Sequence, residues 1–508
     1  MKRLPIYIVA FMISFMACSK DEGNYNYNEV NKLTILDVEG EDISGRSYDL
    51  TIADTIPVEI KLESKFSQFN QEKAEIYWLI KKDTVAKGSM FKMTSEFFKS
   101  GENFVTIIAK DYLSNVEYHS TFRVNFNAGL SKGYFLLAEG ENKQGILYLK
   151  SSLKPDSKFV GLTAFGSNNE FPIGTEPLNI YLSYYNLKYT SIMIATKKGE
   201  FPFMEIGISN LLPSYLIKSS GNGIDGGDFH PTNYRMNHNQ STSNGYFAEN
   251  GKIRNVVNRF LANDIINVPG IAYNFGANNY VVSNLSADNG RILMGYDEIS
   301  KRIYQFSNFT SYRNYYNTLD LSYCSEVLEG KECWGVGGDV TTASGFGNSY
   351  SILMRTGNQV FNYQGGYDVN STRTKYIPVA IKLVSTGTID NIDKAIGLKL
   401  NRFNKNFYYA IGRTIYRFSF LSFNTQPYFT LPEDGTGDIV AFDFDKADNA
   451  VGSTHIGIAT YNQNSSESKK GSFYHYEIKE DGNGNPLTLF NKSLYQVDKT
   501  VALIMGIK

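Results

Sequence analysis

Apolar residues recur at every second position in short runs along most of this chain, with turn-forming residues between the runs. Before residue 128 the pattern marks strands at Leu33–Val38, Ile56–Leu62, Ala74–Ile80, Phe104–Ala109 and Glu117–Phe126. A period of two puts one face of a strand in a core and the other in water, so each run reads as half-buried. Five to seven such strands in roughly 95 residues fit one immunoglobulin-like sandwich. Trp78, inside Ile76-Tyr77-Trp78-Leu79, is placed to fill its core rather than to offer a ligand platform.

Residues 128–132 form a short boundary, and beyond them the texture changes. Seven segments recur, each an apolar strand, a polar turn and a second strand ending in an aromatic. They begin at Gly133, Ile192, Gly245, Arg291, Tyr350, Asn406 and His455, with spacings of 59, 53, 46, 59, 56 and 49 residues. One hairpin per unit at a period near 50 predicts a β-propeller, in which each blade is a four-stranded sheet. Seven units over residues 133–508 give about 54 residues per blade, and hence seven blades. The runs from Ala395 and from Ile439 read as inner strands preceding their hairpins. The lone strand Thr500–Ile507 is predicted to pair with the first unit near Tyr134–Ala138, which removes an exposed edge. Two β-sandwiches are the competing arrangement.

Composition supports an all-β chain. Of 508 residues, 36 are Tyr and 34 Phe but only two are Trp, with 44 Gly, a mixture suited to twisted sheets and tight turns. Fifty basic and 51 acidic residues leave a net charge of −1, which argues against a nucleic-acid surface or a polybasic membrane patch. Of three cysteines, Cys324 and Cys333 stand nine residues apart. In an oxidising compartment they are candidates for a local disulfide, with two free buried thiols as the alternative; no CxxC or nearby His completes a zinc set.

No strong catalytic signature is present, and neither a metal nor another cofactor is expected. Gly335-Val-Gly-Gly-Asp-Val departs from a dinucleotide loop at its last glycine, and Asp481-Gly-Asn-Gly-Asn485 from a calcium loop at Pro486. Asp443 and Asp445 share one strand face, with Asp448 beyond, so a carboxylate pair for glycoside hydrolysis is an alternative there. The long Gly/Asn-rich stretch from Gly221 holds Asp225, Asp228, His230, Tyr234, Arg235 and His238. It reads as a plain connection, a weak metal site, or a ligand contact through His230, Tyr234, Arg235 and His238. A second binding candidate is Ser311–Asn317, whose Tyr312, Arg313, Tyr315 and Tyr316 could stack on sugar rings or peptide side chains and add directional hydrogen bonds.

The N-terminus supplies an address. Lys2-Arg3, an apolar run from Pro5 to Ala17 and then Cys18 describe a secretory signal, too short for a spanning helix. Phe15-Met16-Ala17-Cys18 resembles the bacterial lipoprotein signal, in which the Cys is lipidated and becomes the first mature residue. Ser19-Lys20-Asp21-Glu22 resembles the export signal of Bacteroidota lipoproteins carried to the outer face of the outer membrane. The expected layout is a signal peptide over 1–17, a lipidated tether over 18–31, a sandwich over 32–128 and a propeller over 133–508. Membrane contact is expected through the lipid alone. Gly101–Asp111 looks like the final hairpin of a PKD domain, so the sandwich is PKD-like, although no Trp-Asp-Phe-Gly-Asp follows its middle strand. Taken together the chain resembles the PKD-like surface lipoproteins of Bacteroidota that accompany SusC/SusD-type importers. The resemblance implies capture of an extracellular glycan or peptide for a TonB-dependent transporter. A surface hydrolase or lyase, or a purely structural subunit of the importer, are the alternatives.

Overall fold

In the computed structural model, residues 30–506 are described except 52–53, 100, 128–131, 155, 167–168, 186–187, 225, 237–244, 258–259, 266–274, 285–289, 310–318, 342–347, 370–375, 402–405, 420–421, 446–453 and 480–485. Cys18, the anchor candidate, lies outside the described residues, as do His238, Tyr312, Arg313, Tyr315 and Tyr316. The described chain is all-β, with strands and a few 3₁₀ turns. None of its helices is long and apolar enough to cross a membrane. Its described residues divide into two compact units, one drawn from 30–48, 57–93 and 103–124, the other from 49–56, 94–102 and 125–506.

The N-terminal strands are β1 (Leu33–Asp37), β2 (Ser47–Thr51), β3 (Thr55–Ser64), β4 (Glu75–Ile80), β5 (Asp83–Lys87), β6 (Met90–Thr94), β7 (Gly101–Lys110) and β8 (Glu117–Asn127). They form a three-stranded sheet, β1-β3-β6, and a five-stranded sheet, β2-β8-β7-β4-β5. Trp78 on β4 is fully buried and meets Phe91 of the opposite sheet at 5.5 Å and Phe122 of its own at 6.3 Å. Its indole N–H donates to the Gly88 carbonyl at 2.7 Å, so a large apolar surface is buried with its one polar group satisfied.

From residue 133 the described residues form seven four-stranded antiparallel sheets, here numbered I to VII. The inner strands of sheets II to VII are Thr175–Tyr185, Asn233–Met236, Phe275–Asn284, Glu332–Thr341, Ile396–Asn401 and Asp438–Phe444. Sheet I takes its inner strand from the far end of the chain: Lys499–Gly506 pairs with Gly133–Glu139, placing Leu503 opposite Leu136 and Met505 opposite Tyr134. Each inner strand neighbours the next in cyclic order, and the last returns to the first. The result is a β-propeller.

Strand direction alternates within each sheet, so the turns divide between two ends. Turns between the second and third strands share one end with the connections from sheet to sheet. Three connections at that end carry the same device, a carboxylate that accepts a phenol from the third strand of the following sheet. Tyr148 donates to Asp498 at 2.6 Å, Tyr363 to Glu326 at 2.9 Å and Tyr474 to Asp434 at 2.5 Å. Each carboxylate also meets a cation, respectively Lys469 at 2.6 Å, Lys331 at 3.0 Å and Arg413 at 3.0 Å. Hydrogen bonds to an ionised acceptor are the stronger kind, and these tie one sheet to the next. Burial and then the carboxylate push the Tyr148 phenol up to about 12.

Candidate functional site

The Gly-rich stretch forms the connection from sheet II into sheet III. Its backbone closes on itself: Gly223 N–H donates to the Gly227 carbonyl at 2.8 Å and Gly226 N–H to the Gly223 carbonyl at 3.0 Å. Gly226 adopts a φ of 77°, a left-handed conformation that glycine takes without strain. Beneath the loop lies an ion pair between Arg254 Nη1 and Glu249 Oε2 at 3.0 Å, with side chains 2% and 1% exposed. Both residues spend further bonds on the loop. Arg254 donates to the Asn222 carbonyl and lies 5.7 Å over the Phe229 ring. Glu249 Oε1 accepts the Ile224 N–H at 3.4 Å and the His230 N–H at 3.5 Å. A buried charge pair is tolerated when its remaining bonding capacity is satisfied, and here the loop backbone does that. Asp228 and His230 are consequently held in a fixed frame at the solvent face.

The other described candidates on this segment part company. Tyr234 is fully buried, with Phe247, Phe203 and Tyr181 at ring distances of 4.7, 4.8 and 5.5 Å. Gly245 lies against this ring so closely that a Cβ there would come within 2.4 Å of it. Tyr234 is therefore core filling between sheets II and III, and its expected role as a ligand contact is corrected. Arg235, next along the inner strand of sheet III, is half-buried, and its buried Nε has no hydrogen-bond partner among the described residues. An unspent buried donor is costly, and the half-buried guanidinium is the part of Arg235 that reaches toward solvent.

The remaining candidates resolve as structure. Asp443 pairs with Lys399 at 3.1 Å and also accepts the Phe444 N–H at 2.9 Å, so the Asp443/Asp445 face is not a free carboxylate pair. Cys324 and Cys333 are free thiols, which corrects the expected disulfide. Both pack in one apolar cluster with Met294, Tyr296 and Leu328. Burial pushes both thiols up, that of Cys333 to about 12, and a protonated thiol is a poor nucleophile for exchange. Among the described residues no three His, Cys, Asp or Glu side chains converge as a metal site requires.

A polar seam between sheets I and VII was missed by sequence reasoning. The Tyr134 hydroxyl meets His475 Nδ1 at 2.7 Å, and His475 Nε2 meets His455 Nδ1 at 2.9 Å. Alongside, buried Lys150 donates to Ser493 Oγ at 2.8 Å and Asn491 Oδ1 at 3.3 Å. The signal was present in the hairpin beginning at His455. In its register His475 faces Gly457, two residues from His455, and such diagonal neighbours share a sheet face. Burial, then the neighbouring His455, push the His475 imidazole down to about 3. An unfolded chain protonates this residue below the ordinary histidine value of 6.5 while the folded one does not. Stability is then full above pH 6.5 and declines as pH falls from 6.5 toward 3. His475→Gln is expected to flatten that decline, most visibly above about pH 4.5, where most carboxylates remain ionised. Denaturant melts of both proteins across this range check it, and parallel stability curves contradict it.

No protein-family model matches the chain, and no curated protein does. Among solved structures it is similar to a quinonprotein alcohol dehydrogenase-like protein from Bacteroides thetaiotaomicron, at 12% identity and a TM-score of 0.46, covering 91% of this chain and 96% of that one. A Lactobacillus plantarum protein matches at 12% identity and a TM-score of 0.43, over 74% of this chain and 99% of that one. PorZ, a surface component of the type-IX secretion system of Porphyromonas gingivalis, matches at 10% identity and a TM-score of 0.35, over 90% and 65%.

Proposed function

We propose that this chain is a PKD-like, lipid-anchored protein of the outer-membrane surface that binds an extracellular glycan or peptide as an accessory of a SusC/SusD-type importer. The observation that carries the reading is the sequence around Cys18, an apolar run ending in Phe-Met-Ala-Cys and followed by Ser-Lys-Asp-Glu. Two features of the fold support it. The connection over the Glu249–Arg254 pair offers a pre-formed polar surface with His230 exposed, and Arg235 carries an unspent donor. Preorganised polar groups bind acceptor-rich ligands at low ordering cost. The ring is seven-bladed in this reading, supported by seven four-stranded sheets and the cyclic order of inner strands. The N-terminal unit is an immunoglobulin-like spacer, supported by its two facing sheets and the core position of Trp78.

Metabolic labelling with a palmitate analogue tests the anchor. The parent chain is expected to take label and sediment with outer membranes, and Cys18→Ser to do neither. Label retained by Cys18→Ser contradicts it. Co-purification tests the partner, and recovery of the acylated protein without any transporter or SusD-like component counts against the importer.

A further inference from the structure

One end of the N-terminal unit displays apolar side chains on a rigid frame. Asn31, where the described chain begins to fold, is fully buried. Its Nδ2 donates to Asp111 Oδ2 at 3.2 Å, and its Oδ1 accepts Ser64 Oγ–H at 2.8 Å and the Phe66 N–H at 3.2 Å. Asp111, equally buried, accepts the Leu113 N–H at 2.9 Å and Ser114 Oγ–H at 2.6 Å. These bonds gather three segments at one end: the entry at residues 30–32, the turn after β3 and the turn between β7 and β8. The turns are stapled to each other as well, because Tyr112 stacks on Phe69 at 5.7 Å and its hydroxyl accepts the Asn70 N–H at 3.0 Å.

What this frame holds outward is apolar. Val30 is 57% exposed, Leu113 42%, Tyr112 38% and Val116 36%. Lys32, Lys65 and Lys73 on or next to the same segments are exposed, as are Glu72 and Glu117, and the Lys73 ammonium lies 5.9 Å over the Tyr112 ring. Aliphatic side chains, an amphipathic tyrosine and flanking lysines are the equipment of a membrane-interface contact. Chain length selects that occupant. Val30 follows Cys18 by 12 residues, which span about 40 Å when fully extended and about 20 Å as a flexible coil. An end face joined to a lipidated cysteine by so short a segment stays beside the bilayer.

We infer that the end of the N-terminal unit formed by Val30, Tyr112, Leu113 and Val116 seats on the lipid surface, so that the protein rests on the bilayer rather than swinging on its tether. The inference rests on the proposed anchoring at Cys18 and adds a second contact, of the kind that converts reversible lipid anchoring into stable attachment.

The test uses the full protein purified from membranes and reconstituted in vesicles of phosphatidylethanolamine and phosphatidylglycerol whose acyl chains are brominated near the headgroup. Tryptophan is introduced as Leu113→Trp or, as a control, as Phe104→Trp. Phe104 is exposed on β7, about 20 Å along the strand from the turn. Fluorescence is read as the difference from the parent chain, whose own Trp78 and Trp334 are common to all variants. Leu113→Trp is expected to lose about half of its added fluorescence and Phe104→Trp to keep it, as befits a side chain at the acyl boundary. Equal quenching of both, or of neither, overturns the inference. So does shielding of the Leu113→Trp side chain only when co-purified membrane proteins are present, which assigns the face to a protein partner. Mass spectrometry of Cys18 separates the two readings: acylation without quenching leaves the anchor and removes the seat, whereas selective quenching without acylation does the reverse.

Discussion

Deleting residues 499–508 is expected to abolish the cooperative unfolding of the propeller. Lys499–Gly506 is the inner strand of sheet I, and its neighbours around the ring are the inner strands of sheets II and VII. Leu503, Ile504 and Met505 are buried along it, and burying such side chains contributes about 1.5–3 kcal/mol each. Their combined loss, about 5–9 kcal/mol, rivals the total stability of many domains. The deletion also leaves the Gly133–Glu139 strand as an unpaired apolar edge, which invites aggregation. Thermal melts followed by circular dichroism decide the matter. A truncated protein with one sharp transition within a few degrees of the parent shows that the strand is a dispensable edge.

Glu249→Ala is expected to cost about 3–5 kcal/mol, the range for breaking a buried pair by removing one partner. The cost arises because Arg254, 2% exposed, keeps its charge with no carboxylate beside it. Hydrogen exchange at the Ile224 and His230 amides should rise at the same time, since both donate to Glu249. Replacing both partners together, Glu249→Leu with Arg254→Met, is expected to recover most of the loss, because apolar residues of similar volume carry no desolvation penalty. Denaturant unfolding of the three variants gives the coupling directly. A loss below about 1 kcal/mol for Glu249→Ala places the pair among weakly contributing surface bridges instead. A stability loss with unchanged loop exchange separates the pair from the loop it underlies.

Much of the scaffold was legible because its signals are local. Alternation of period two marks a hairpin within some fifteen residues, and the pairs that begin at Gly133 and His455 are observed as antiparallel strands. The closing strand was legible because an apolar run without an adjacent hairpin partner needs a distant one, and it pairs with Gly133–Glu139. The burial of Trp78 followed from its alternation within β4. The site was much less legible. Tyr234 and Arg235 are adjacent and looked alike as ligand candidates, yet strand geometry sends consecutive side chains to opposite faces. One of those faces became the packed seam between sheets II and III. In the sequence Glu249 and Arg254 are two ordinary charges flanking a hairpin turn, and only packing of the Gly-rich connection above them took both out of water.

Cysteine spacing misled for a related reason. Two cysteines nine residues apart can close a loop on sequence grounds, but whether their thiols meet is set by the strand and turn that carry them. The joining of Tyr148 to Asp498 and of Tyr134 to His475 spans more than 300 residues. Such pairs have no local signature, because ring closure alone brings the first and last strands of the propeller together. The sequence by itself therefore determined the repeating hairpins and the strand that closes them, which are read from short windows. Only the tertiary structure decided which polar residues are buried, which are paired and which face solvent, because those properties belong to the packing of one sheet against the next.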